Sequence, residues 1–205
     1  DAAERVTHFE VELAISALED RECAVQGGLG LDGVVLIVED RRPCCEVRAD
    51  GSGFRQVTPG DQPDVHSYDP CYLPCGKIAF ISTAPFQGVP CNAGVIVSMM
   101  YRMDRDGGNI RQVTFEQDHD YYPSVTNDGR LLYLRWDYTD TPHVWNRLLM
   151  SMNPDGTAQM EYITSNSYFP NSFFYARPIP GHPTKVVGIA TGHHGNARTG
   201  RMLIM

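Results

Sequence analysis

Long apolar runs are missing from this sequence. The longest, such as Val34-Val35-Leu36-Ile37-Val38, stop far short of the roughly 20 residues that cross a bilayer as a helix, so no membrane span is read. Blocks of Lys and Arg are missing as well. Lys and Arg number 17 against 25 Asp and Glu, a formal charge of −8, which argues against nucleic acid because neutralising phosphates takes a basic stripe. Six cysteines are present (Cys23, Cys44, Cys45, Cys71, Cys75, Cys91), yet none falls into CxxC or CxxCH. That excludes the ordinary zinc-ribbon, thioredoxin and c-type haem attachment signatures from this segment. GxSxG, HExxH, Walker A and the dinucleotide glycine fingerprint are also absent. Helical periodicity is confined to residues 4–21, where the apolar stripe fits an amphipathic helix or a strand.

What is present is repetition. With 42% hydrophobic residues in 205, the chain is too apolar for disorder and long enough for a sizeable core. Asp50-Gly51-Ser52-Gly53-Phe54-Arg55-Gln56-Val57-Thr58 returns as Asp106-Gly107-Gly108-Asn109-Ile110-Arg111-Gln112-Val113-Thr114, and a weaker copy runs from Asp155-Gly156-Thr157 to Tyr162-Ile163-Thr164. A second motif keeps phase with the first. Pro70 leads to Gly76-Lys77-Ile78-Ala79-Phe80 as Pro123 leads to Gly129-Arg130-Leu131-Leu132-Tyr133, and a degenerate third copy is read from Pro170. Asp-Gly pairs suit tight hairpin turns. Four short antiparallel strands per unit of about 45 to 50 residues are the signature of a β-propeller blade. The fold class is therefore all-β, with about four blades. Residues 1–47 match the repeats poorly apart from an apolar run after Asp32-Gly33 that reads as a blade strand. Residues 48–205 form the propeller blades. The opening at Asp1 and the apolar close at Arg201-Met202-Leu203-Ile204-Met205 read as the ends of a piece of a longer protein.

The units beginning Phe54-Arg55-Gln56-Val57-Thr58 and Ile110-Arg111-Gln112-Val113-Thr114 resemble the TolB/WD40-like PD40 repeats. The longer stretch from Tyr133 to Gly195 resembles the middle domain of the hydrazine synthase alpha subunit family, over roughly residues 48–205. The resemblance implies a six-bladed propeller within a larger exported, periplasmic protein, of which about four blades are present here. In that family haem carries the chemistry and its attachment sequences lie outside the propeller, so no cofactor is expected in this segment. Cys75 departs from the acidic residue the family pattern expects in its turn.

Hairpins of a propeller alternate between two faces. The short turns at Gly76, Gly107, Gly129, Gly156 and Gly181 share one face, and the long connections share the other. The second face collects His66, His119, His143, His193 and His194 with Asp64, Asp69, Asp118, Asp120, Asp137, Asp140, Arg135 and Arg198. Loops on a rigid scaffold are where function concentrates. Asp118, His119, Asp120, Arg135, Trp136, Asp140, His143, His193 and His194 are the candidate ligand-binding set, and His119, His143 and His193 the candidate ligands of a divalent metal. The competing reading is that these residues only close strand ends by hydrogen bonding. Most aromatics, Tyr121, Tyr122, Phe174 and Tyr175 among them, are read as packing between sheets, with Trp136 and Tyr138 as the exceptions. Cys71 and Cys91 are the disulfide candidates if the protein is exported. The expected role is a non-catalytic scaffold that contacts other domains or subunits and contributes a pocket or channel wall; a metal-assisted or ligand-binding site on the His/Asp face is the alternative.

Overall fold

The computed structural model describes residues 29–30, 33–36, 43–48, 52–90, 92–137, 147–163, 170, 172–191 and 200–205. Among them there are strands and turns and no helix. The first sheet contains β1 (Leu29–Gly30), β2 (Gly33–Leu36), β3 (Cys45–Val47) and β4 (Arg55–Gln56) in that spatial order. It draws strands from both sides of residue 47. The second contains β5 (Ser67–Tyr72), β6 (Ile78–Ser82), β9 (Met99–Met103) and β10 (Arg111–Gln112), with a small hairpin, β7 (Gly88–Val89) and β8 (Asn92–Ile96), inserted between its second and third strands. β11 (Asp120–Val125), β12 (Leu131–Trp136), β13 (Arg147–Met152) and β14 (Met160–Ile163) make the third. β15 (Phe173–Pro178), β16 (Val186–Ala190) and β17 (Arg201–Ile204) make the fourth. Every pairing between neighbouring strands of these sheets is antiparallel, and β11 lies against β5 on one side and β15 on the other. These are blades of a β-propeller seen from the inner strand outward.

Side-chain alternation explains why the middle strands are apolar on both faces. Successive residues of a strand point to opposite sides of its sheet, and each middle sheet has a neighbour on both sides. Ile78 and Phe80 of β6, with Met99, Tyr101 and Met103 of β9, meet Cys44 and Val57 of the first sheet. The alternate residues Ala79, Ile81 and Met100 meet Leu131, Tyr133, Met150 and Met152 of the third. Leu132 and Leu149 then face Phe173, Ala176 and Val186 of the fourth. All five residues of β6 are buried as a result.

The repeated motif is the device that joins one blade to the next. In each Gln-Val-Thr, the Thr hydroxyl accepts the N–H of a residue just before or in the third strand: Cys44 N to Thr58 Oγ1 at 2.7 Å, Met100 N to Thr114 Oγ1 at 2.8 Å. The Val N–H donates to the same residue's carbonyl, at 2.8 and 2.9 Å. The Gln amide nitrogen donates to the Thr carbonyl, at 2.7 and 2.8 Å. The Asp-Gly turn of the following blade then docks on the Val. A Cβ on Gly107 would lie 2.1 Å from the Val57 carbonyl oxygen, and one on Gly156 would lie 2.8 Å from that of Val113. Both glycines have positive φ, 90° and 91°. The Asp-Gly turn and the Gln-Val-Thr recur together because each needs the other.

One registration differs from the sequence reading. Pro70 and Pro123 do occupy equivalent positions in the inner strands β5 and β11, but Pro170 lies ahead of β15, and Ala176 stands where those prolines stand. Prolines at 170, 178 and 180 bracket that strand, and proline spacing alone selects the wrong one. The turn that follows is also longer, closing from Ile179 N to Lys185 O where the third blade closes from Thr126 N to Arg130 O.

Gly107→Ala should therefore cost roughly 3 kcal/mol or more, from left-handed backbone strain plus the carbonyl clash. Gly76→Ala, whose added Cβ meets nothing within 4 Å at φ 80°, should cost only about 1 kcal/mol. Urea unfolding of the two variants measures the difference, and equal losses would show that the turn does not dock.

Candidate functional site

The inner strands carry the first unusual geometry. Those of the second, third and fourth sheets are interrupted by a register shift against the neighbouring strand: between Tyr68 and Cys71 in β5, between Tyr121 and Ser124 in β11, and between Phe174 and Arg177 in β15. The residue inside each bulge is left-handed, Asp69 at φ 49°, Tyr122 at 51° and Tyr175 at 54°. They recur every 53 residues, and none is glycine. A bulge re-aims a side chain, and strain repeated in this way marks a position shaped for a purpose beyond pairing. Along the inner edge the Tyr122 and Tyr175 rings meet, and the Asp69 carboxylate meets the Tyr122 backbone. The Tyr122 and Tyr175 rings lie 4.4 Å apart, Tyr121 and Tyr122 lie 5.7 Å apart, and the Tyr122 N–H donates to Asp69 Oδ2 at 3.2 Å. One carboxylate among half-buried tyrosines thus forms an inner wall spanning three blades. Sequence reasoning placed Tyr122 and Tyr175 among packing aromatics. The signal that distinguishes them is the 53-residue recurrence of Tyr-Asp-Pro, Tyr-Tyr-Pro and Phe-Tyr-Ala.

Five of the nine candidate residues fall within the described residues, and the structure brings them together where β11 begins and β12 ends. His119 is buried, and its Nδ1 receives the Ser98 N–H at 3.1 Å and lies 2.9 Å from Ser98 Oγ. The ring stacks with Trp136 at 5.9 Å, and the Arg147 guanidinium sits over the Trp136 ring at 4.1 Å. Ser98 O in turn accepts the Asp120 N–H, and His119 O accepts the Trp136 N–H, both at 2.9 Å. Arg135 donates to Glu116 and Gln159, each at 2.6 Å. Its Nε lies 3.9 Å from Asp120 Oδ1. Asp118 and Asp120 are buried beside them. This network ties the second blade to the third. Asp140, His143, His193 and His194 lie outside the described residues, as do Tyr138 and Arg198.

Among the described residues, no group of three His, Cys, Asp or Glu has the geometry to hold a metal ion. With Nδ1 engaged by Ser98, His119 has Nε2 as its ligating atom for any metal shared with His143 and His193. Cys71 is a free thiol. It faces the apolar layer between the second and third blades, where burial pushes its pKa up to about 12. Its expected partner, Cys91, lies outside the described residues.

No family model matches the chain, and no curated protein matches it either. Solved structures do. Hydrazine synthase of Kuenenia stuttgartiensis is 16% identical with a TM-score of 0.60, covering 82% of this chain and 28% of that one. The nidogen/laminin complex is similar over 89% of this chain and 59% of that one, at 14% identity and a TM-score of 0.55. A puromycin-hydrolyzing peptidase of Mycobacterium tuberculosis is 14% identical with a TM-score of 0.51, covering 79% of this chain and 26% of that one. At such identities the likeness establishes the propeller fold, and the chain spans less than two thirds of each of these proteins.

The buried Asp120 gives this cluster a measurable signature. Burial pushes its pKa up to about 7 against the opposing pull of Thr114 and Arg135. The folded protein thus holds a proton that the unfolded chain releases near pH 4, so stability falls as pH rises from about 4 to 7, by at most about 1.4 kcal/mol per pH unit. Asp120→Asn should flatten that part of the profile. Urea midpoints at pH 5 and pH 8 for both proteins provide the check, and the same slope in each would contradict the assignment.

Proposed function

We propose that this chain is a non-catalytic scaffold domain of a larger exported protein, docking other domains or subunits on its loop-rich face and lending its inner wall to a pocket or channel. The observation that carries this reading is a pair of exposed phenylalanines on adjoining loops. Phe86 and Phe115 are 59% and 75% exposed, and Gln87 Nε2 reaches across to the Gln117 carbonyl at 2.8 Å, fixing one loop against the other. Phe86 is held at φ 53°, a conformation that a bulky residue adopts at a cost. Aromatic side chains held clear of a well-packed core, on a rigid scaffold, are the anchors that protein interfaces use. The likeness to a fraction of a much longer hydrazine synthase chain supports a setting among further domains, and the family resemblance supports export. No cofactor is assigned to this segment; a divalent ion on His119, His143 and His193 is the alternative. A rise in melting temperature on adding zinc, abolished by His119→Ala, would favour that alternative.

A photo-crosslinking residue in place of Phe115 in the whole parent protein tests the scaffold reading. Crosslinks should map outside the 205 residues of this chain. Crosslinks confined within it would overturn the interface, and turnover of an ester, lactone or peptide by the chain alone that is abolished by Asp69→Asn would overturn the non-catalytic role.

A further inference from the structure

The turn of the first blade departs from its sister turns in two positions, and both departures meet in one pocket. Arg48, Asp104 and Asn153 are equivalent: each N–H donates to the carbonyl four residues on, at 2.9, 2.8 and 2.8 Å. In the second blade Asp104 closes its own turn by accepting from Lys77 and Asn109. In the third, Asn153 accepts from Arg130 at 2.8 Å and donates to Thr157 at 3.0 Å. Arg48 has the opposite charge and no accepting atom, so it cannot serve that structural purpose. The second departure is Gly53, at φ 67°, where the sister positions hold Asn109 and Ala158 at φ 51° each. Side chains are therefore tolerated at that backbone angle. What the glycine supplies is room: a Cβ on Gly53 would lie 3.2 Å from Arg48 Nη1.

The pocket so formed has a volume of about 210 Å³ and is lined by Glu46, Val47, Arg48, Gly53, Arg55 and Arg105. Among the described residues that line it, three guanidinium groups stand against one carboxylate. Glu46 holds two of them in place, accepting from Arg55 Nε at 2.8 Å and from Arg105 Nε at 3.0 Å, and it also accepts from the Tyr72 hydroxyl; Arg55 Nη2 donates to the Arg105 carbonyl at 2.6 Å. Although partial burial opposes ionisation, these hydrogen bonds keep its carboxyl below the ordinary value. The Arg105 guanidinium also lies over the Tyr72 ring at 5.6 Å. The described lining thus carries an excess charge of +2 on a chain whose net charge is −8.

We infer that the pocket between the first and second blades binds a phosphate group. Planar guanidinium forks match the paired oxygens of phosphate, and a dianion balances the excess charge. The volume is below the roughly 300 Å³ at which sites for drug-sized ligands begin, which suits a small anion or the phosphate end of a monoester.

Calorimetric titration of the full chain with inorganic phosphate, and separately with methyl phosphate, at constant ionic strength tests this. Saturable binding that Arg48→Gln weakens at least tenfold, with an unchanged melting temperature, is expected. Arg48→Lys should fall between the two, and Gly53→Asn, which restores the sister residue, should also weaken binding. Methyl phosphate binding as well as phosphate identifies a monoester site; phosphate binding alone identifies the free ion. No saturable heat with either probe, or equal affinity in Arg48→Gln, overturns the proposal.

Discussion

The fold depends on one contact made twice: an Asp-Gly turn seated on the valine of the preceding blade's Gln-Val-Thr. The valine carbonyl approaches so closely that only glycine fits above it, at Gly107 over Val57 and at Gly156 over Val113. The flanking glutamine and threonine spend their side chains fixing that valine, so the seat is rigid before the turn arrives. Apolar layers between sheets supply the bulk of the burial, but they are tolerant of exchange among similar side chains. The turn contact sets the spacing and order in which those layers meet.

This explains which parts of the structure were legible from sequence. Asp-Gly and Gln-Val-Thr are visible because sterics and hydrogen bonding narrow the residue types allowed at these positions. The inner-strand prolines at 70 and 123 are visible for a similar reason, while Ala176 is not, since any residue with a compatible φ can follow the bulge. The β7–β8 hairpin is not visible in the sequence because its Gly-Val and Asn-Ala-Gly-Val-Ile segments carry no strong alternating pattern. The positive-φ tyrosines were invisible because nothing in the identity of a tyrosine announces a left-handed backbone; only their 53-residue recurrence does.

The candidate site shows the same division between chemistry and constraint. Histidine and aspartate in a polar connection read as ligands when burial is unknown. In the structure His119, Asp120 and Trp136 are buried and bound to Ser98, Arg135 and Arg147, so their first role is to join two blades. The positions that stand out instead are those where a repeat breaks its own rule without loss of fold, Arg48 and Gly53 in the first turn. A repeat protein provides its own internal comparison, and residues that differ from their sisters are the ones the architecture does not explain.

If turn docking couples the blades, they open together. Native-state hydrogen exchange reads this at the amides of Val57 and Val113, which donate to Cys44 and Met100 within two different blades. The account predicts the same opening free energy for both, equal to that of global unfolding, with the core amides of β6 and β12 sharing it. Exchange of the Val57 amide tenfold or more faster than that of Val113, through an opening of the first blade alone, would contradict it.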